Sequence, residues 1–360
     1  MDAVDDCGDA TCEIESLVSA RIDVDDELGS FTEFATKAGW GDGLPLVPPT
    51  EVLVRDYVRA SRRSADEVVG EVPPRNGRAT VEKIAINAVM AGANADAMPL
   101  LVAAMEAMLD PSFNLLALNT TTCSVVPGLF VNGPARHELN IAMEAGCFGG
   151  VAGPSVGIGR ATRLIMRNIG GQQIGVNSKS VFGQPGRVSG ICVAEWEERS
   201  PWAPLATRRG ASPGANAVTV HGVTGTIDVA DIYCHDGASL AALIGRSLAF
   251  PGTNAYLGDH HGAEILVCVA PPWAELIASS YLGIADVQQA LWESASIALT
   301  EFPEPHRVAH LESGRVGSDG RVSLVESPEQ IIVVVCGGLA NLHALACHSF
   351  GPTRAVTQTF

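Results

Sequence analysis

The chain has 360 residues, 47% of them hydrophobic and 18% charged, which is too apolar for a disordered polymer. Its formal net charge of −17 gives it no general attraction to nucleic acid or to an anionic membrane surface. No run of about 18 uncharged apolar residues suggests a membrane span, and the acidic start is unlike a secretory signal. The nine cysteines, scattered and odd in number, are therefore expected as reduced thiols in a cytoplasmic protein.

Residues 1–30 carry Asp5, Asp6, Asp9, Asp23, Asp25, Asp26 and Glu27 and read as a flexible acidic arm. Gly39 to Pro49 holds too much Gly and Pro for regular structure. It also holds Trp40, Leu44, Leu46 and Val47, so an ordered strap is expected. Thr50 suits the N-cap of a helix over 50–62. Thr80 suits that of a helix ending near Ala91, where Val81, Ile84, Ala85, Ala88 and Val89 repeat at helical spacing. A helix over 97–109 is apolar nearly all round and should be central. Leu115 to Leu118 and Pro127 to Val131 read as short buried strands. The Gly-rich stretch 146–160 should be loop, feeding a helix from about Arg160 to Asn168 that ends at Gly170-Gly171.

Residues 172–200 read as strand and loop, and 201–215, rich in Pro, Arg, Ser and Gly, as a boundary. Strands are then expected at 217–220, 264–269 and 331–335. Helices are expected at 238–249, 272–280, 285–298 and near 339–347. This alternation predicts an α/β fold with mixed, partly parallel sheets and helices on their faces. Two subdomains follow from the boundary: an N-terminal α/β domain over 31–205 and a C-terminal one over 216–360. No internal repeat is visible beyond generic strand–turn–helix units at 264–280 and 331–347.

Long segments look familiar: WGDGLPLVPPT at 40–50, VPPRNGRATVEKIAINAVMAG at 72–92, FVNGPARHEL at 130–139, GIGRATRLIMRNIGG at 157–171 and GQPGRVSGICVAEWEERSPWAPL at 183–205. IIVVVCGGLANLHA and RAVTQTF follow near the end. Together they resemble the UGSC family, a bacterial group with some selenoprotein members, over most of residues 35–360. That family is named for a Sec/Cys-Gly-Ser-Cys motif, which does not occur here. The resemblance is to the larger domain without its redox motif, and it implies no particular reaction.

Chemistry must then be read from residues. The Pro73-Pro74 turn leads through Arg75, Asn76, Gly77 and Arg78 to a helix start bearing Glu82 and Lys83. Helix N-termini favour anions, and Arg75 and Lys83 add positive charge; the plainer reading is a capped surface helix. Asn119 to Ser124 are polar or small and follow an apolar run, the place where α/β sheets hold ligands. There Cys123 could be a nucleophile or acid/base, with Asn119 and Thr122 polarising a carbonyl or imine; the plainer reading is an inert turn. Gly157-Ile158-Gly159 before Arg160 could bind an anion through backbone N–H groups, or be a tight turn. It lacks the third glycine of a dinucleotide fingerprint, and no P-loop or Gly-x-Ser-x-Gly elbow occurs.

The expectation is an enzyme of lyase or hydrolase type on a small anionic metabolite, without cofactor or metal. Arg75, Asn76, Lys83, Arg160, Gly157 and Gly159 would bind the anion, and Glu82 would be a secondary acid/base. One alternative is a metal-dependent enzyme using His221, His235, His260 and His261, whose residue type suits Zn²⁺ or Fe²⁺ but whose spacing fits no standard motif. Another is a non-catalytic small-molecule-binding or scaffold subunit. Nothing in the composition opposes a homo-oligomer. Among the thiols, Cys123 is expected to react first, with Cys147 its nearest competitor.

Overall fold

The computed structural model describes residues 17–25, 27, 29–258, 262–340 and 342–360. Most of the acidic arm, including Cys7 and Cys12, and the segment Asp259, His260 and His261 lie outside the described residues.

The first half is helical. Helices α1 (Ser30–Lys37) and α2 (Glu51–Ser61) precede a small hairpin of β1 (Val68–Val72) and β2 (Gly77–Thr80), and then come α3 (Val81–Ala91) and α4 (Met98–Leu109). Thr50 and Thr80 cap α2 and α3 as expected: their side chains accept from the backbone N–H of Leu53 and Lys83. Helix α4 is buried along nearly its whole length.

Residues Leu115–Thr120 form a helix, α5, and not the expected strand. The apolar run is too short to reveal its period. Leu115, Leu118 and Asn119 are buried while Leu116 is exposed, which is helical spacing. Asn114, in the left-handed region at φ 52°, starts the turn.

Strand β3 (Val126–Asn132) and helix α6 (Pro154–Asn168) follow, then β4 (Ile191–Ala194), β5 (Ala217–Val223) and β6 (Thr226–Ala230). Helix α6 begins earlier than expected, so Gly157 and Gly159 lie inside it and not in an anion-binding loop. They are needed for close packing. A Cβ on Gly159 would stand 2.8 Å from the Ser189 carbonyl oxygen, and one on Gly157 would stand 3.0 Å from that of Gly92.

Next come α7 (Gly237–Leu248), β7 (Ile265–Val269), α8 (Pro271–Ala278), α9 (Ile284–Ser294), a short hairpin of β8 (Ser296–Ala298) and β9 (Arg321–Ser323) around α10 (Glu304–Glu312), then β10 (Ile331–Val335), β11 (His343–His348) and β12 (Val356–Thr359). Strand β11 replaces the helix expected near 339–347. Its Ala and Leu residues suit helices, but the segment fills the gap between β7 and β6 and pairs antiparallel with both.

Two mixed sheets result, ordered β12-β5-β3-β4 and β10-β7-β11-β6, and the fold is α/β. Strand residues alternate between faces. Val126, Phe130, Ile191 and Val193 of the first sheet pack with Leu266, Cys268, Ile332 and Val334 of the second. Leu129, Val131, Val218 and Val220 turn outward onto α3, α4 and α6. Ile265, Val267, Val333 and Ala346 turn outward onto α7, α8 and α9. The layers therefore run helix, sheet, sheet, helix. Strands covered on both faces explain the unbroken apolar runs.

The sheets share one pattern that the sequence hides. Strand β3 has a parallel neighbour, β4, and an antiparallel one, β5; strand β7 has β10 and β11 in the same roles. The outermost strand of each sheet comes from the other half: β6 follows β5 but joins β11, and β12 follows β11 but joins β5. The expected boundary at 201–215 thus does not divide the sheets, because β5, just after it, pairs with β3 along its whole length. Among the described residues no single helix is long and apolar enough to cross a membrane.

Candidate functional site

Cys123 lies in the bend between α5 and β3 and is half-buried. The Asn254 amide donates to its Sγ at 3.6 Å, and its own N–H donates to Thr121 Oγ1 at 3.2 Å. Segment 172–190 runs alongside this bend: Lys179 N–H donates to the Thr120 carbonyl and Val181 N–H to that of Thr122. The Thr122 side chain is exposed.

Behind Cys123 is a chain of buried polar groups. Asn119 Nδ2 donates to the Pro73 carbonyl at 2.8 Å, and Gln172 Nε2 donates to Asn119 Oδ1 at 2.9 Å. Arg163 Nη2 donates to Gln172 Oε1, and its Nε donates to the Arg187 carbonyl at 3.2 Å. Arg187 Nε donates to the Val125 carbonyl at 3.3 Å and Nη1 to Ser178 Oγ at 3.0 Å. Asn119 is therefore tied into the scaffold on both sides of its amide and is not free to polarise a substrate, contrary to expectation.

The two arginines are the unexpected feature. Arg163 is 7% exposed and Arg187 9%. Arg163 Nη1 and Arg187 Nη2 are buried with no hydrogen-bond partner, and among the described residues no carboxylate pairs with either side chain. Burial pushes Arg163 down to about 9, and the Arg187 charge pushes the same way. Burial also lowers Arg187, while negative charge on the Cys123 sulfur opposes that shift. Among the described residues the two guanidiniums thus lie together without a paired carboxylate, and Arg187 is the one that feels charge on the half-buried Cys123 sulfur. Buried charges are ordinarily paired, so this arrangement calls for an anion.

Sequence reasoning passed over Arg163 because a guanidinium in an apolar helix is usually one that snorkels to solvent. The signal for Arg187 was its place directly after the Gly183-Gln184-Pro185-Gly186 turn.

No protein-family model matches the chain, and no curated protein matches it.

The other expected anion ligands do not gather at Cys123. Arg160 is buried in a fork with Asp42, Nε to Oδ2 at 2.7 Å and Nη2 to Oδ1 at 2.8 Å, and so anchors the 39–49 strap. Arg75 and Asn76 are exposed, and Arg75 N–H donates to the Gly170 carbonyl. Exposed Lys83 donates through Nζ to the Arg78 carbonyl at 3.1 Å. Glu82 is buried and accepts from Val18 N–H and Ser19 N–H at 3.0 Å each, which ties residues 18 and 19 to α3.

Of the other described thiols, Cys234 is half-buried like Cys123, with burial and the Asp231 charge raising it, while Cys192 is buried. Cys147, Cys268, Cys336 and Cys347 lie in the core between the sheets, and burial pushes Cys268 up to about 11 and Cys347 up to about 12. A hydrogen bond with Cys336 and burial both raise Cys147, the expected competitor.

Among the described residues no three His, Cys, Asp or Glu side chains converge as metal ligands. His221 is buried in β5 with Nε2–H donating to the Cys347 carbonyl at 3.0 Å, and His235 is exposed on a separate loop. Burial pushes His221 down to about 4. The unfolded chain takes up this proton at about 6.5, so between those values the unfolded state holds more protons and stability falls as pH drops. His221→Gln is expected to remove roughly 3 kcal/mol from the acid-side loss of stability between about pH 6.5 and about pH 4. Urea unfolding of parent and variant across that range checks this, and parallel curves would refute it.

Proposed function

We propose that the chain is an enzyme that acts on a small anionic metabolite by lyase-type or hydrolytic chemistry, with Cys123 as nucleophile. The observation that carries this reading is the buried Arg163–Arg187 pair, uncompensated by any carboxylate among the described residues, behind the half-buried thiol. Thiolate is the nucleophilic form of cysteine, and nearby guanidinium charge attracts an incoming anion. Asn254 is the neighbouring donor at the sulfur. A reducing compartment such as the cytoplasm would keep the thiol free. Membership of the UGSC family is part of the proposal and rests on the quoted segments alone.

Competitive alkylation tests it. With limiting iodoacetate at near-neutral pH, peptide mapping is expected to find Cys123 labelled first. Iodoacetate, an anion, is expected to be favoured there over neutral iodoacetamide when each is referenced to a free thiol in solution. Labelling of Cys234 or Cys147 first, or a preference for the neutral reagent, would count against the reading.

A further inference from the structure

A cavity of about 600 Å³ lies between residues 17–25 and helices α1, α2 and α3. Phe31, Phe34, Trp40, Val54, Ile86 and Met90 give it an apolar wall. Its size falls within the range of small-molecule pockets, on the order of 300–1,000 Å³. A smaller space of about 310 Å³ shares Ser19, Glu82 and Lys83 with it and is also lined by Arg78. An apolar chamber thus adjoins a polar vestibule.

The roof is tied down at separate points. Glu82 accepts from Val18 N–H and Ser19 N–H, and Arg21 Nε donates to Glu51 Oε2 at 3.0 Å. Glu51 is matched by Arg21 and Arg55, and both Glu82 oxygens are occupied by backbone donors. Lys83 and Arg78 form no ion pair among the described residues, and Lys83 Nζ spends one hydrogen bond on the Arg78 carbonyl. Asp66 lines the vestibule too, but pairs with neither cation. Among the described residues the vestibule thus holds two cations in no ion pair, with the Glu82 and Asp66 carboxylates also in its lining, next to a chamber that suits a hydrocarbon or aryl body.

We propose that this cavity is a second binding site, separate from Cys123, for an amphiphilic carboxylate. Its apolar body fills the chamber and its carboxylate lies on Lys83 and Arg78.

The test uses the full chain and the fluorescent aryl sulfonate anilinonaphthalene sulfonate as reporter. Saturable binding of one equivalent is expected, displaced by decanoate and not by decyltrimethylammonium. Lys83→Met should weaken decanoate about tenfold or more and leave decanol unchanged. Ile86→Trp should fill the chamber and weaken both, with an unchanged circular dichroism spectrum showing that the variant is folded. Cys123→Ser should bind decanoate like the parent, which separates this site from the thiol chemistry. Failure of decanoate to displace the reporter, equal competition by the ammonium amphiphile, or full decanoate affinity in Lys83→Met would each overturn the proposal.

Discussion

Arg187→Met is expected to slow iodoacetate alkylation of Cys123 by about tenfold or more at neutral pH, with a smaller effect on iodoacetamide. Arg187 is the cation whose own state responds to charge on the Cys123 sulfur, so its removal takes away the attraction felt by an anionic reagent. About 1.4 kcal/mol suffices for a factor of ten, a modest demand on a guanidinium in a low-dielectric setting. Arg163→Met is expected to have a smaller kinetic effect and to melt no lower than the parent. The buried Arg163 charge costs several kcal/mol in desolvation by general experience, and the Arg187 charge beside it adds repulsion. Against that, the substitution strands the Arg187 carbonyl and Gln172 Oε1, at about 1–3 kcal/mol for each buried acceptor. Methionine is long and pliable enough to keep the space filled. Stability given up to hold a charged site is a common trade. Calorimetry and alkylation rates on the same preparations decide the matter. A marked fall in melting temperature for Arg163→Met, with alkylation unchanged in both variants, would mean that the pair is purely structural.

Arg160→Ala is expected to destabilise the protein by about 3–5 kcal/mol, the usual cost of stranding one partner of a buried ion pair. Arg160 and Asp42 are nearly buried and meet through two hydrogen bonds, and Arg160 Nη2 also donates to the Pro45 carbonyl at 3.0 Å. Burial alone would raise Asp42, but the Arg160 hydrogen bonds, the Leu44 N–H and the Arg160 charge outweigh it and hold the carboxyl below its usual range. A depressed carboxylate contributes stability above its unfolded-state value, near 4, and loses it as pH falls through the lower folded value. The parent should therefore lose this contribution below about pH 4, and Arg160→Ala should lack that acid limb. Chemical denaturation at near-neutral and acid pH measures both effects. A cost below about 1 kcal/mol at neutral pH would show that the strap is held by Trp40 and Leu46 packing instead.

What the sequence disclosed depended on the range of each interaction. The caps at Thr50 and Thr80 and the strands around Phe130 and Val333 are local patterns and were legible. Cys123 was singled out as a candidate from its polar neighbours, although the element before it is a helix and not the expected strand. Asn119 has the right chemistry, but the Pro73 carbonyl that occupies it is 46 residues away. Arg160 was taken for an anion ligand because its partner Asp42 is 118 residues distant. Lys83 turned out to border a cavity formed by segments that no linear spacing brings together. The shared sheet pattern was hidden because exchange of the outermost strands breaks the linear order of the repeat.

That exchange bears on how the chain can fold as it is made. Strand β5 has β3 on one side and waits for β12 on the other, and some 130 residues separate β5 from β12. Loop closure over such a distance must precede the reward of pairing. A ribosome releasing this chain from its N-terminus can let α2, α3 and α4 assemble early, but the first sheet keeps an unsealed border until residues 356–359 emerge. In that interval the exposed rim of β5 is open to strands from neighbouring nascent chains, the hazard to which unpaired strand edges are prone.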